Sequence, residues 1–118
     1  MFKDILKHTI KDITPSEYLQ KAKKFASKNG YDPKAIEFSD KPKYKLMYVL
    51  ENKNIYFGNS DYRDYIIYKT LEDKGLIDYG VSKKRREDYL KRATNIKGNW
   101  EDNKYSKNNL SIYILWNG

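Results

Sequence analysis

The strongest chemical feature of the sequence is a ten-residue run, 83–92, in which basic side chains outnumber acidic ones by four. The formal net charge of the whole chain is +8, so half of the excess lies in this run. Clustered lysines and arginines bind phosphate oxygens through charge-assisted hydrogen bonds. The run therefore predicts a binding site for a nucleic acid or another polyanion, made of Lys83, Lys84, Arg85, Arg86, Lys91 and Arg92.

The run stands at the start of a predicted helix, where it opposes the electrostatics of the backbone. Gly80-Val81-Ser82 predicts the cap of a helix over 83–95. The free amides of a helix N-terminus carry roughly half a positive charge, so each cation in the first turn costs about 0.3–1 kcal/mol. Two interpretations stay open: an anion is held at this end, or the cations form a solvated face beside Glu87 and Asp88.

Most other chemistry is excluded by the composition. The chain has no cysteine and a single histidine, which excludes a thiol nucleophile, a disulfide framework and a Cys/His zinc site. Glu-Asp pairs stand at 72–73, 87–88 and 101–102, but adjacent side chains on a helix point about 100° apart. Such pairs are typical of solvated charge rather than of a metal site. We therefore predict no cofactor, no bound metal and no catalytic residues.

Length and composition are typical of one soluble, tyrosine-rich domain. The 118 residues are enough for one hydrophobic core, and an aromatic content of 15% is too high for a disordered chain despite a mean hydropathy of −0.95. No apolar run approaches the roughly 20 residues that a membrane span needs. The first residues mix acids into a helical period, which predicts that no signal peptide is present and that the protein is not secreted.

The elements that position the basic run form a predicted α+β domain with an N-terminal arm. Residues 1–13 are predicted to form an amphipathic helical arm and residues 14–118 a single basic domain. A helix this short is marginal alone, so its apolar stripe must dock either on its own domain or on a partner. The stripe that we assign to partner docking contains Phe2, Ile5, Leu6 and Ile10.

Within the domain, a small antiparallel sheet is predicted to pack against several short helices. The capping box Thr14-Pro15-Ser16-Glu17 starts a core helix that ends at Asn29-Gly30. The period then changes to two, which predicts a short strand at 35–38 and a hairpin over about 43–58. Asn59-Ser60-Asp61 is expected to cap a helix over 62–74. Residues 106–116 alternate like a strand, but Ser106 is a good N-cap, and we favour a final helix.

Two tyrosine-containing triplets stand on the predicted hairpin, Leu46-Met47-Tyr48 and Tyr56-Phe57-Gly58, and Arg63 follows them. This arrangement resembles a degenerate GIY-YIG nuclease hairpin, in which two tyrosines and an arginine act on a phosphodiester beside a metal-binding glutamate. The resemblance implies a nuclease site as one alternative, made of Tyr48, Tyr56, Arg63 and Glu87.

Five sequence blocks follow one another in the C-terminal two-thirds of the chain. They are Tyr56-Phe57-Gly58, Asp64-Tyr65-Ile66-Ile67-Tyr68, residues 83–93, Gly98-Asn99-Trp100 and residues 110–116. Their order resembles a group of short basic proteins, mostly of unassigned function, from nucleocytoplasmic large DNA viruses and their smaller relatives. The resemblance implies a viral origin and no established enzyme activity.

We therefore expect a non-enzymatic, virion-associated protein that binds DNA or another polyanion without sequence preference, in the virion or in the host cytoplasm or nucleus. The main alternative is a capsid-associated structural or cement protein. In that case the arm contacts capsid proteins or a second copy of the chain, and the positive charge complements an acidic protein surface. This alternative predicts that removal of residues 1–12 abolishes assembly and leaves a folded monomer.

Overall fold

A three-stranded antiparallel sheet forms the platform on which the helices pack. The computed structural model describes residues 2–96 and 100–118. Its strands are Ile36–Phe38 (β1), Tyr44–Val49 (β2) and Asn54–Asn59 (β3), hydrogen-bonded in the order β1-β2-β3. The register of the β2–β3 hairpin places Leu46 opposite Phe57. The predicted α+β fold, with its hairpin at about 43–58, is confirmed.

Short helices surround this sheet, and four of those described begin after a capping side chain or a glycine: Thr14, Asp64, Gly80 and Ser106. The Thr14 hydroxyl, for example, accepts a hydrogen bond from the Glu17 amide at 3.1 Å, so the predicted start of the core helix is confirmed. The α-helices of the described residues are Phe2–Thr9 (α1), Pro15–Lys28 (α2), Tyr65–Asp73 (α3), Val81–Ala93 (α4) and Lys107–Leu110 (α5). Helix α3 packs against both α2 and α4.

Helix α1 is buried in the core of its own domain. Phe2 and Leu6 are 1% and 0% exposed, Ile10 is also buried, and Ile5 packs against the same cluster. The ring of Phe2 meets the ring of Tyr18 edge-on, with 5.0 Å between centroids. The interpretation of these four side chains as a partner-docking stripe is therefore corrected. Phe2, Leu6 and Ile10 already gain the free energy of burial inside the chain, and of the four only the partly buried Ile5 keeps appreciable exposed surface.

Helix α3 begins three residues later than the sequence predicts. Its cap is Asp64, whose Oδ1 accepts a hydrogen bond from the Ile67 amide at 3.0 Å. Asn59-Ser60-Asp61, the expected cap, instead forms the end of β3 and the turn after it. Because the helix starts late, residues 60–64 remain a loop, and this loop carries Tyr62 and Arg63.

The Asp64 carboxylate is also the centre of a buried polar cluster. Its Oδ2 accepts hydrogen bonds from Lys45 Nζ at 2.8 Å and from the Tyr18 hydroxyl at 2.5 Å. Lys45 is 2% exposed, although the period-two pattern treats it as an ordinary charged residue of the hairpin. Burial, followed by the neighbouring Asp64 charge, raises the pKa of Tyr18 well above its usual value. The tyrosine therefore stays protonated and donates to the carboxylate.

The C-terminal segment is helical, as favoured above. The Ser106 hydroxyl accepts a hydrogen bond from the Asn109 amide at 3.2 Å, and α5 continues into a wider π-helical stretch, Ser111–Leu115. This segment buries Leu110, Ile114 and Leu115 in the core. Within the described ranges, no helix combines the length and apolar character that crossing a membrane requires.

Candidate polyanion-binding cleft

A cleft of about 520 Å³ lies between the end of β3, the loop after it, helix α4 and the C-terminal helical segment. Three arginines from distant parts of the chain line it: Arg63 from the loop, and Arg85 and Arg92 from α4. We call this cavity the arginine cleft. Its other lining side chains include the aromatic rings of Tyr62, Tyr68, Tyr89 and Trp116.

Packed aromatic rings form one wall of the arginine cleft. Tyr89 and Trp116 are stacked almost in parallel, with centroids 4.1 Å apart and an angle of 5° between planes. The Arg85 guanidinium lies 5.6 Å from the centroid of Tyr68, in a cation–π contact. Burial raises the pKa of Tyr89, against the smaller lowering effects of its hydrogen bond with Ser111 and of Arg92. The Tyr89 ring of the wall is therefore neutral, and the positive charge of the cleft comes from the arginines.

A glycine at the base of the arginine cleft allows the sheet and the C-terminal helical segment to meet. Gly58 has a φ of +79°, and a Cβ atom built there would lie 2.6 Å from Leu115 Cδ1. The same atom would lie 3.4 Å from Lys45 Cβ. A larger residue would both strain the backbone and push Leu115 away from β3.

Carboxylates of the described residues leave most of the positive charge of the cleft arginines unpaired. Within residues 2–96 and 100–118, neither Arg63 nor Arg92 forms an ion pair. Asp88, the acidic residue of the lining, pairs with Lys84 at 3.1 Å. Lys45 at the base of the cleft is already neutralised by Asp64. An anion that enters the cleft therefore meets guanidinium groups without internal carboxylate partners.

Only two of the six predicted polyanion ligands line the arginine cleft. Arg85 and Arg92 line the cleft, whereas Lys83, Lys84 and Lys91 are exposed and do not line it. Arg86 is held by the end of the chain: its Nε donates to the Trp116 carbonyl at 3.0 Å and its Nη2 to the Asn117 carbonyl at 2.8 Å.

Sequence reasoning named Arg63 only as part of the nuclease-like hairpin, and it missed the aromatic wall. The signal for the wall was the spacing of Arg85, Tyr89 and Arg92 on one helical face. Arg63 had no such local signal, because it reaches the cleft only through the packing of its loop.

The N-terminus of α4 already holds an anion, which is an internal carboxylate. Glu72 Oε1 accepts hydrogen bonds from the Gly80 amide at 2.8 Å and the Ser82 amide at 3.1 Å, and Oε2 accepts from the Ser82 hydroxyl at 3.0 Å. The Ser82 amide is the main reason that the pKa of Glu72 is lowered. Of the two interpretations left open above, the first placed an external anion at this helix end, where the structure has the Glu72 carboxylate; Glu72 offsets the cost of the cations in the first turn.

The nuclease-like quartet does not converge. Met47 is the register partner of Tyr56, so the next residue, Tyr48, points to the opposite face of the sheet. Tyr48 is buried and its hydroxyl accepts a hydrogen bond from the Asp32 amide at 2.9 Å. Arg63 lines the arginine cleft, whereas Glu87 is an exposed residue of α4 outside it. The two tyrosines therefore cannot act on one phosphodiester.

Among the residues that the structure describes, His, Asp and Glu side chains form no group that could hold a metal ion. Comparison of the chain with protein-family models, with curated proteins and with solved structures finds no match.

Proposed function

We propose that this protein is a non-enzymatic nucleic-acid-binding protein that holds a phosphate backbone in the arginine cleft. The observation that carries the proposal is the convergence of Arg63, Arg85 and Arg92 on one cleft with aromatic walls. Guanidinium groups bind phosphate oxygens in a bidentate manner, and aromatic rings beside them are typical of surfaces that follow a nucleic-acid strand. The viral setting that the order of sequence blocks implies is part of the same proposal.

Salt dependence gives this proposal a quantitative form. Each phosphate that a protein neutralises releases counterions, so three arginine–phosphate contacts give a slope of roughly −2 to −3 in log affinity against log salt. Contacts of this kind fix a strand without reading its sequence. We therefore expect affinity that falls steeply with salt and varies little between sequences.

The deciding experiment compares two charge reversals on the same helix. Arg85→Glu with Arg92→Glu changes the cleft, whereas Lys83→Glu with Lys91→Glu makes the same change in net charge outside it. We expect the first pair to weaken DNA binding at low salt by roughly tenfold or more and to reduce the salt slope by about 2. The measurement is fluorescence anisotropy of a labelled oligonucleotide over a salt series.

The lysine pair is expected to have a much smaller effect, because only the general field of the protein changes. Equal losses for the two pairs would contradict a defined cleft and favour a diffuse positive surface. Unchanged binding in the arginine pair would overturn the proposal.

A further inference from the structure

Tyr62 is an aromatic side chain at the arginine cleft that the fold leaves without a ring partner. Its side chain is 71% exposed although it lines the cleft, and none of the ring contacts among the described residues involves it. Its backbone is part of the turn after β3, where the Tyr62 amide donates to the Asn59 carbonyl at 3.2 Å. The ring therefore lines the same cleft as the three arginines.

Ile96 adds a second exposed apolar surface to the same cleft. It is 52% exposed and follows α4 on the side that carries Arg92. The arginine cleft thus offers a flat aromatic ring, an aliphatic side chain and free guanidinium groups within one volume. A ligand with a flat aromatic face and phosphates on both sides of it matches this combination.

We propose that the arginine cleft takes an unpaired base of a single-stranded nucleic acid, stacked on Tyr62, with the flanking phosphates held by the arginines. This inference rests on the proposed function and makes it more specific. The cleft volume of about 520 Å³ lies within the roughly 300–1,000 Å³ of pockets that enclose small ligands. The bases of a duplex are paired and stacked, so only an unpaired base reaches the ring.

The chain supplies a matched control for Tyr62. Tyr79 is 97% exposed and does not line the cleft, so Tyr79→Ala removes a ring of the same size from solvent without changing the site. Tyr62→Phe keeps the stacking surface and removes only the hydroxyl. Tyr79→Ala and Tyr62→Phe change exposed side chains, so we expect both variants to keep the fold. Circular dichroism checks that they do.

The experiment measures binding of the full chain to four probes. They are an oligothymidylate of about 12 nucleotides, a duplex of the same length, inorganic polyphosphate and thymidine monophosphate. For Tyr62→Ala we expect a loss in oligothymidylate affinity of roughly 5- to 100-fold, the factor that one stacked base contributes. Affinity for polyphosphate stays unchanged, and Tyr62→Phe and Tyr79→Ala bind oligothymidylate like the wild type.

The outcomes separate this inference from the function on which it rests. If Tyr62→Ala binds oligothymidylate as tightly as the wild type, or if the duplex binds as tightly as the single strand, base stacking is wrong and polyanion binding stands. If thymidine monophosphate binds as tightly as oligothymidylate, the strand is the wrong ligand. If Arg85→Glu with Arg92→Glu leaves the binding of every probe unchanged, the proposed function fails, and this inference fails with it.

Discussion

At the scale of single residues, Asp64 performs two tasks with one carboxylate. One oxygen caps α3 and the other neutralises the buried Lys45 ammonium, with the Tyr18 hydroxyl as a third partner. A charge out of contact with water is tolerated only when its partner and its hydrogen bonds are all in place. The cluster therefore fixes the start of α3, and with it the loop that carries Tyr62 and Arg63.

Replacement of Asp64 by Asn is expected to be strongly destabilising. The substitution leaves Lys45 buried without a counter-charge, and breaking a buried pair from one side costs about 3–5 kcal/mol. Tyr18→Phe removes one donor from the carboxylate and is expected to cost about 1–3 kcal/mol. Urea denaturation of the three proteins measures both losses in the free energy of unfolding.

A double variant is the control for this prediction. Lys45→Met with Asp64→Asn removes both charges, so it should be more stable than Asp64→Asn alone. If Asp64→Asn costs less than about 1 kcal/mol, as a solvent-exposed ion pair does, the buried pair is contradicted.

At the scale of elements, the helix starts divide into those that local sequence determines and those that distant residues determine. Thr14 and Ser106 cap the helices that follow them within three residues, so their sequences predict the starts correctly. The choice of Asp64 over Asn59-Ser60-Asp61 depends on Lys45 and Tyr18, which are distant in sequence. A rule that reads neighbouring residues cannot detect such partners, which is why α3 was predicted to start too early.

A residue outside the helix also explains how α4 tolerates cations in its first turn. The compensating anion is Glu72, near the end of the preceding helix and eight to ten residues before its partners. Its carboxylate joins the end of α3 to the start of α4. Glu72 is therefore a positioning residue, because the direction of α4 determines which of its cations reach the cleft.

Glu72→Gln is expected to lower the stability of the protein at neutral pH and to have a diminishing effect in acid. The folded state holds the pKa of Glu72 below its ordinary value of 4.5. The stabilisation is therefore fully present above pH 4.5 and is lost as the pH falls through the lowered folded-state value. Melting temperatures of both proteins between neutral and acidic pH measure this convergence.

Asp73→Asn is the matched control for Glu72→Gln. Asp73 lies on the same helix, but it is exposed and pairs with Lys69 at 3.1 Å on the surface, so a small effect is expected. A difference between Glu72→Gln and the wild type that stays constant from neutral to acidic pH would contradict the capping role of the carboxylate.

At the scale of the whole molecule, the net positive charge does not by itself show which basic residues line the cleft. The charge run lies on α4, and two of its residues, Arg85 and Arg92, line the arginine cleft. Periodicity could separate these two from their neighbours, but only tertiary packing shows which helical face meets the cleft. The convergence of Arg63 with these two arginines could not be predicted, because Arg63 comes from a loop more than twenty residues earlier in the chain.

The stability of the whole molecule is expected to depend on the N-terminal helix α1. Removal of residues 1–12 deletes Phe2, Leu6 and Ile10 from the core, and each buried side chain of this kind contributes about 1.5–3 kcal/mol. Since a domain is stable by only about 5–15 kcal/mol in total, we expect the truncated chain to be largely unfolded. Circular dichroism and the loss of a cooperative thermal transition would show this.

Single substitutions on α1 separate the contribution of its buried side chains to stability from that of its exposed charges. Leu6→Ala is expected to cost about 2–5 kcal/mol, whereas Lys7→Ala, at the neighbouring exposed position, is expected to change stability by less than about 0.5 kcal/mol. A truncated chain that stays folded and monomeric would instead restore the view of α1 as a detachable, partner-docking arm. Loss of folding would mean that α1 is part of the core and is not a detachable, partner-docking arm.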